Sequence, residues 1–440
     1  MPISTLELDD SAALLSSSAL LADLPCRSLK TYLSELRRMV EMGDWSHPAC
    51  SLLLPSEKTP LAQSLAMAKK IGKPSLVIVV GIGGSNLGTL AVAGAVLGPH
   101  HNLLNPKRQL LFADTVDGPS ISAVLKIGIS HLQTGGHVVL NVISKSGSTL
   151  ETAANFEFLL AGLGGRKKGK LTIVATTDEG SALWGLAQSR GYSLLPIPKN
   201  VGGRYSVFSN VSLFPLALMG VDVKAFLSGA LSMRTRCLSD ALCSNPAAQL
   251  AALIHAHAQA GRRIHNHFIF SPSLHGAGLW YRQLMGESVG KEHDKSQMPI
   301  RAGVTPTVSI GSVDLHSMAQ LYLGGPDDKF YRFMSVERQS ADLKTPKSPD
   351  LERLVPHSSG KKMSELMDAT LYGTQAAYMS KGIPFVDLRL ADTSPRTVGA
   401  LLQLEMTEIM LLAYLMNVNA FDQPAVEAYK KETKRILAEG

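Results

Sequence analysis

Five hydroxyl side chains and a lysine lie within nine residues, from Ser144 to Thr152. A helix N-cap uses one or two such groups, whereas a phosphate dianion accepts hydrogen bonds on all of its oxygens and is stabilised by the positive end of a helix dipole. The segment stands between an apolar run and a helical pattern, where the first N–H groups of a helix are free. The pattern therefore favours a phosphate site over plain capping.

A second segment has the groups to move a proton. Gln283 and Glu287 are four residues apart, so they share one face of a helix. The apolar neighbours Leu284 and Met285 could desolvate the Glu287 carboxylate, as a base that removes a carbon-bound proton requires. On these residues alone, an exposed helix with an ion pair from Glu287 to Lys291 is the better interpretation.

Two glycine turns could bring backbone close to a ligand. Residues 81–88 read GIGGSNLG between an apolar run and a helical pattern. Asn86 stands where a nicotinamide-binding turn would carry its third glycine, which disfavours a dinucleotide site. In residues 200–206, Gly203 precedes Arg204, and an arginine held there could stabilise an oxyanion. Taken singly, both turns fit ordinary connections.

Two further side chains, His316 and Lys430, carry little information by themselves. His316 follows Asp314, and a histidine near an acid is often structural. Lys430 lies in a terminal helical segment rich in Lys and Glu, where a lysine is usually solvated.

Alternating apolar runs and helical patterns must position these groups. Such alternation predicts an α/β protein with two doubly wound parallel sheets, whose ligands bind beyond the carboxyl ends of the strands. The predicted strands are residues 75–80, 109–113, 137–143, 171–176, 193–197, 264–270, 305–310, 331–336 and 383–389. The predicted division is a helical cap at 1–60, α/β domains at 61–221 and 263–424 joined by a helical connection at 222–262, and a closing helix at 425–440.

Bulk properties narrow the function classes. The chain has 440 residues and a net charge of +7, but its 43 basic residues are scattered among 36 acids. This favours an anionic small substrate over nucleic acid. Acids near the N-terminus argue against a signal peptide. The apolar residues 398–420 are interrupted by Gln403, Glu405 and Glu408, which predicts a core helix and no membrane span.

The cysteines have neither CxxC nor zinc-like spacing, so buried free thiols in a reducing, cytoplasmic setting are expected. They are Cys26, Cys50, Cys237 and Cys243.

Six segments, in this order, resemble the glucose-6-phosphate isomerase (phosphoglucose isomerase) family, in its shorter bacterial type. They read GIGGSNLG, SKSGSTLET, VGGRYS, GESVGK, DLH and FDQPAVEAYK, and the resemblance covers residues 60–435. It implies two sugar-isomerase (SIS) domains, interconversion of glucose 6-phosphate and fructose 6-phosphate through a cis-enediol, and a homodimer in which His316 reaches the site of the neighbouring subunit. Neither a metal nor a cofactor is expected.

The resemblance also implies roles for individual residues. Glu287 corresponds to the base, Arg204 to the group that stabilises the enediolate, and His316 and Lys430 to a pair that assists ring opening. The remaining residues are implied to bind substrate: Gly84, Ser85, Ser144, Lys145, Ser146, Thr149, Thr152, Gly203, Gln283 and Gln423.

Two other functions stay open on sequence. A non-catalytic SIS-type sensor of sugar phosphates would need the hydroxyl-rich loop but not Glu287, Arg204, His316 and Lys430 together. A nicotinamide oxidoreductase is disfavoured by Asn86.

Overall fold

A computed structural model describes residues 5–23, 28–165 and 168–439, and every structural statement below refers to these residues. Their strands are β1 Leu6–Asp9, β2 Leu76–Val80, β3 Gln109–Ala113, β4 His137–Ile143, β5 Lys170–Thr177, β6 Ser193–Pro196, β7 Ile264–Ile269, β8 Lys291–His293, β9 Pro299–Ala302, β10 Thr305–Ile310, β11 Lys329–Val336 and β12 Phe385–Leu390.

The α-helices follow the same order along the chain. They are α1 Ser17–Ala22, α2 Leu29–Met42, α3 Lys58–Ile71, α4 Leu87–Leu97, α5 Gly118–Gln133, α6 Leu150–Leu163, α7 Ala182–Ser189, α8 Asn210–Met219, α9 Val223–Cys237, α10 Pro246–Gln259, α11 His275–Val289, α12 Ala319–Gly324, α13 Pro349–Leu354, α14 Met363–Ser380, α15 Pro395–Leu415 and α16 Val426–Glu439. Short 3-10 turns include Gly83–Ser85, Gly203–Tyr205 and Val313–Leu315.

The first sheet is entirely parallel, in the order β3-β2-β4-β5-β6. Its strand β2 is buried along its whole length, because helices cover both faces of the sheet. Val77 and Val79 point to the layer that contains α8, whereas Ile78 and Val80 point to the layer of α5 and α6. The continuous apolar runs of the sequence are thus the strands of a doubly wound sheet, as predicted.

The second sheet has the order β1-β12-β11-β7-β10, and all of its pairs are parallel except β1 with β12. The prediction of a wholly helical cap at residues 1–60 is therefore wrong at its start, since Leu6–Asp9 is an edge strand. Leu6 is buried and Glu7 is exposed, an alternation of period two that is too short to stand out in the sequence. The helical pattern is confirmed at α2, whose buried side chains include Leu29, Leu33 and Leu36.

In the second half of the protein, which contains the second sheet, α15 is the most buried long helix. It is long and apolar enough to cross a membrane, but 89% of its most apolar window is buried inside the protein, which agrees with the predicted core helix. Its acids Glu405 and Glu408 are fully buried opposite Arg332 of β11. Helices α9 and α10 lie within residues 222–262.

The cysteine prediction is confirmed in part. Cys50 and Cys237 are free and buried, and burial raises the pKa of the Cys237 thiol to about 12. Cys243 is exposed, against the prediction, because it lies in the surface turn Leu242–Ser244. Cys26 lies outside the described residues.

Candidate active site

Two glycine turns of the first sheet lie against each other. A Cβ atom added to Gly84 would stand 2.2 Å from the carbonyl carbon of Gly203, so a side chain cannot fit at this contact. Gly83 has a φ of +60°, and its added Cβ would stand 2.8 Å from Nε2 of Gln283, on helix α11 of the second half. These glycines therefore do more than connect a strand to a helix: they let loops from both halves meet.

Arg204, in the second of these turns, is buried and donates all five of its N–H groups. Nε donates to Oγ of Ser288 at 2.8 Å. Nη1 donates to Oε2 of Glu287 at 3.1 Å and to Oε1 of Gln423 at 2.9 Å. Nη2 donates to the backbone carbonyls of Ala420 at 2.6 Å and Asp422 at 3.0 Å. The guanidinium thus joins the first sheet, helix α11 and the 420–423 loop.

The Glu287 carboxylate stands between two donors. Nε2 of Gln283 donates to its Oε1 at 2.9 Å, and Arg204 binds its Oε2. The Glu287 side chain keeps 32% of its surface exposed, whereas Arg204 keeps 2%. The carboxylate is therefore fixed in place and still open to a ligand, which is the geometry that a base acting on a bound substrate needs.

The alternative of a surface ion pair between Glu287 and Lys291 is wrong. Lys291 is buried, and its ammonium donates to the backbone carbonyl of Glu287 at 2.9 Å and to Oδ1 of Asp422 at 2.8 Å. It also donates to the Asp422 carbonyl. Burial lowers the pKa of Lys291, and the contact with Asp422 opposes that shift. Lys291 thus ties the end of α11 to the loop that carries Gln423.

The hydroxyl-rich loop runs from the carboxyl end of β4 to the first turn of α6. Ser144 is buried, accepts from the Gly147 amide at 3.1 Å and contacts the Thr149 hydroxyl at 3.1 Å. Thr149 is the N-cap residue of α6 but makes no side-chain capping bond, so its hydroxyl is not consumed by the helix. Together with Thr152, Ser144 and Thr149 line a cavity of about 340 Å³.

This loop adjoins the glycine turns. Nζ of Lys145 donates to the Val201 carbonyl at 2.9 Å, two residues before Gly203. On the other side, a Cβ atom added to Gly81 would stand 2.9 Å from the Ile143 carbonyl oxygen at the end of β4. The half-exposed Ser85 follows the first turn, and Ser146 is exposed. The predicted phosphate residues therefore come from adjacent loops at one edge of the first sheet.

His316 and Lys430 are not joined to this cluster. His316 is exposed after the turn Val313–Leu315 and makes no hydrogen bond with Glu287 or Arg204 among the described residues. Lys430 is 44% exposed and pairs with Glu427 at 2.7 Å on helix α16, in which no residue is buried. A single chain thus assembles the proposed base and its arginine but leaves these two side chains at the surface.

The geometry can be compared with known proteins. Residues 67–326 match the phosphoglucose isomerase family model. The chain belongs to this family. Among its relatives, the glucose-6-phosphate isomerase of Symbiobacterium thermophilum is 33% identical, covering 84% of this chain and 82% of its own. That of Rubrobacter xylanophilus is 34% identical, covering 88% of each chain.

Solved structures share the fold of this family member. A hypothetical protein from Thermus thermophilus superposes with a TM-score of 0.84 and 30% identity, covering 98% of this chain and all of its own. A glucose-6-phosphate isomerase from Chlamydia trachomatis superposes with a TM-score of 0.78 at 20% identity, covering 99% of this chain and 88% of its own. The predicted resemblance and the α/β fold class are confirmed.

Sequence reasoning missed several side chains that hold the cluster together. Ser288 and Tyr205 are buried beside Arg204, and Lys291 is buried beside the helix end. Ser288 directly follows Glu287, and Tyr205 directly follows Arg204. Their positions next to these residues, inside the same motifs, were the available signal in the sequence. Their contacts join distant chain segments, since Arg204 and Ser288 are 84 residues apart, and local periodicity does not report such contacts.

Proposed function

We propose that this protein is an aldose-ketose isomerase that interconverts D-glucose 6-phosphate and D-fructose 6-phosphate. One observation carries the proposal: an accessible carboxylate, Glu287, is held 3.1 Å from a buried guanidinium, Arg204, in a family whose curated relatives are named for this reaction. A sensor of sugar phosphates would need neither the base nor the arginine, and no relative named above supports that alternative.

The reaction needs one carbon-bound proton to move. In open-chain glucose 6-phosphate, Glu287 removes the proton from C2, and the C–H electron pair forms the C1–C2 double bond while the C1 carbonyl oxygen becomes negative. Arg204 stabilises this enediolate, because its charge interacts more strongly with the oxyanion than with the neutral carbonyl. The proton of the O2 hydroxyl passes to O1, the electron pair left on O2 forms the C2 carbonyl, and the electrons of the C1–C2 double bond take the proton from Glu287 at C1, which gives fructose 6-phosphate.

The phosphate would be bound by the loops beyond β2 and β4. We assign it to the positive end of α6 and to the hydroxyls and amides around it, with Lys145 supplying charge. The proposed residues are Gly84, Ser85, Ser144, Lys145, Ser146, Thr149 and Thr152. Gln283, Gln423 and Gly203 would orient the sugar, since the two amides already contact Glu287 and Arg204.

Ring opening is assigned to His316 and Lys430, with the protein acting as a homodimer. The exposed His316 of one chain would complete the site of its partner, since among the described residues it makes no hydrogen bond with Glu287 of its own chain. Mixing Glu287→Gln dimers with His316→Ala dimers under exchanging conditions tests this arrangement. If the histidine acts in trans, hybrid dimers regain one intact site and activity rises to about a quarter of wild type; no recovery would place it in cis.

We also propose a cytoplasmic location and a role in glycolysis and gluconeogenesis. The free thiols Cys50 and Cys237 suit a reducing compartment, and phosphorylated sugars are charged molecules that membranes retain.

The direct test of function is a coupled assay with purified protein and no added metal. Fructose 6-phosphate should yield glucose 6-phosphate, detected through a nicotinamide-dependent dehydrogenase. Binding of both sugar phosphates without any interconversion would reject the isomerase and favour a sensor.

A further inference from the structure

Ser288 is adjacent to the proposed base and points the other way, into the protein. We propose that Ser288, supported by Tyr205, is a positioning residue that fixes the Arg204 guanidinium so that only Nη1 faces the substrate. The inference rests on the proposed function and adds two residues to it.

The five acceptors of Arg204 fall into two kinds. Nε donates to the hydroxyl of Ser288, a buried residue of helix α11. Nη2 donates to two backbone carbonyls of the 420–423 loop. Nη1 alone binds side chains that reach the surface, namely Glu287, which is 32% exposed, and Gln423, which is exposed. Since both exposed partners are on one nitrogen, the geometry selects Nη1 as the donor to an enediolate oxygen.

Ser288 accepts from Nε through a lone pair of Oγ, and because the site is buried its own proton needs an acceptor as well. Its Oγ lies 2.9 Å from the Tyr205 hydroxyl, which lies 3.4 Å from the Ala420 carbonyl. With Arg204 donating to Ser288, the serine donates to Tyr205 and the tyrosine donates to Ala420. Each polar group in this buried chain then has a partner, as a low-dielectric site demands.

The aromatic ring of Tyr205 also packs against the Arg204 guanidinium. The guanidinium carbon is 5.3 Å from the centre of the Tyr205 ring, within the range of a cation–π contact. The ring itself is packed against Phe421, with centroids 5.5 Å apart. Ser288 and Tyr205 therefore restrict rotation of the guanidinium in its plane and out of it.

Helix α11 thus acts on the reaction through two consecutive residues. Glu287 presents the carboxylate to the opening, and Ser288, fully buried, sets the direction of the arginine that faces it. An oxyanion donor stabilises a transition state only while it stays within a fraction of an ångström of its position. Loss of the Ser288 hydroxyl should therefore weaken the transition state more than the substrate complex.

The test compares kcat with KM in Ser288→Ala, and binding of a planar hydroxamate analogue of the enediolate with binding of sorbitol 6-phosphate, which lacks a carbonyl. We expect kcat to fall roughly 10- to 100-fold with KM changed less than about threefold, since one oxyanion donor is misplaced and not removed. Hydroxamate affinity should fall in parallel with kcat, while sorbitol 6-phosphate affinity should stay near wild type.

Ser64→Ala is the matched control, because Ser64 is a fully buried serine whose hydroxyl donates to Asn210 at 2.8 Å, without contact to Arg204. It should lose stability without losing kcat. Equal loss of both ligands in Ser288→Ala, or an unchanged kcat, would overturn the proposal.

Tyr205→Phe is a second variant that keeps the Ser288 hydroxyl, in case Ser288→Ala does not fold. We expect a smaller fall in kcat, roughly 3- to 10-fold, with KM again nearly unchanged. A wild-type kcat in Tyr205→Phe would refute the supporting chain. An inactive wild-type protein would instead overturn the proposed function, independently of these comparisons.

Discussion

Two arginine–glutamate pairs in this protein differ in whether a ligand can reach the carboxylate. Arg332 and Glu408 lie 2.8 Å apart in the core of the second half, and both side chains are completely buried. Arg204 and Glu287 lie 3.1 Å apart, and the glutamate keeps 32% of its surface exposed. Both pairs join a buried guanidinium to a carboxylate. Only the Glu287 carboxylate is open to a ligand, and this makes its pair a candidate site and the other a structural pair.

Burial disfavours the charged forms of two side chains beside the core pair, His267 and Glu405. Burial holds the pKa of His267 well below its ordinary value and raises the pKa of Glu405 well above its own, so burial favours the neutral form of each. The Glu408 carboxylate accepts from Nη2 of Arg332 at 2.8 Å and from the Tyr281 hydroxyl at 2.6 Å. Around Arg204, by contrast, five acceptors hold the cation in position while its partner carboxylate stays available.

The largest expected effect is a loss of turnover when the Glu287 carboxylate of the exposed pair is replaced. Glu287→Gln keeps the shape of the side chain but removes the base, so kcat should fall by about 10²- to 10⁴-fold. Melting temperature should change little, because the carboxylate is partly exposed and Arg204 keeps its other acceptors. Steady-state kinetics and a thermal melt measure both; near-normal turnover would remove Glu287 from the mechanism.

Glu408→Gln should do the reverse. It removes the carboxylate 2.8 Å from the buried Arg332 guanidinium and leaves only Glu405, 3.6 Å away, opposite that charge, which costs about 3–5 kcal/mol of unfolding free energy. The kcat of the folded fraction should stay near wild type, since neither residue faces the proposed substrate. Denaturant titration with activity measured on the native fraction is the comparison, and a stable variant with lost turnover would contradict the division between the two pairs.

Ser146→Ala tests the anion side of the site. An exposed hydroxyl that binds a phosphate oxygen should contribute about 1.5–3 kcal/mol, so KM for the sugar phosphate should rise about 10- to 100-fold with a smaller change in kcat. Ser189→Ala, an exposed serine that donates to the Leu186 carbonyl, is the control and should have no effect. An unchanged KM in Ser146→Ala would reject its role.

The smallest expected effect is on the free energy of unfolding at acidic pH, and it comes from the buried His257. Burial lowers the pKa of His257 to about 4 from an ordinary value of 6.5. Between these values the unfolded chain binds a proton that the folded chain does not, so the stabilisation is complete above pH 6.5 and is lost as the pH falls towards 4. From pH 7 to pH 5 the loss should be about 2 kcal/mol.

His257→Gln removes this proton uptake and can still donate to the Ala13 carbonyl that His257 Nε2 contacts. The fall of melting temperature between pH 7 and pH 5 should therefore be smaller in the variant. It should not vanish, because His265 and His267 are buried with lowered pKa values as well. Identical pH profiles would show that His257 does not contribute.

The sequence predicts elements better than it predicts contacts between them. Strands β3, β4 and β10 were predicted with the observed bounds. For β4 the reason is that a strand buried on both faces is a nearly continuous apolar run. β1 was missed because four residues of alternating burial give no distinct local pattern.

Long-range pairs were less accessible. Arg332 and Glu408 are 76 residues apart, and Glu408 was interpreted only as a polar interruption of an apolar helix. Likewise, spacing alone paired Glu287 with Lys291, whereas its real partner Arg204 is 83 residues away. Only the ordered set of motifs pointed to Arg204, and the helix face that carries Ser288 was not considered at all.

The central claim is that Glu287 transfers the proton between C2 and C1 while Arg204 faces it. Nuclear magnetic resonance of the sugar phosphates in deuterated water tests this most directly, because a proton held on a carboxyl exchanges with solvent before it returns to carbon. The wild type and Glu408→Gln should incorporate deuterium at C2 of glucose 6-phosphate or C1 of fructose 6-phosphate, and Glu287→Gln should lose exchange and isomerisation together. Exchange at the wild-type rate in Glu287→Gln would contradict the account.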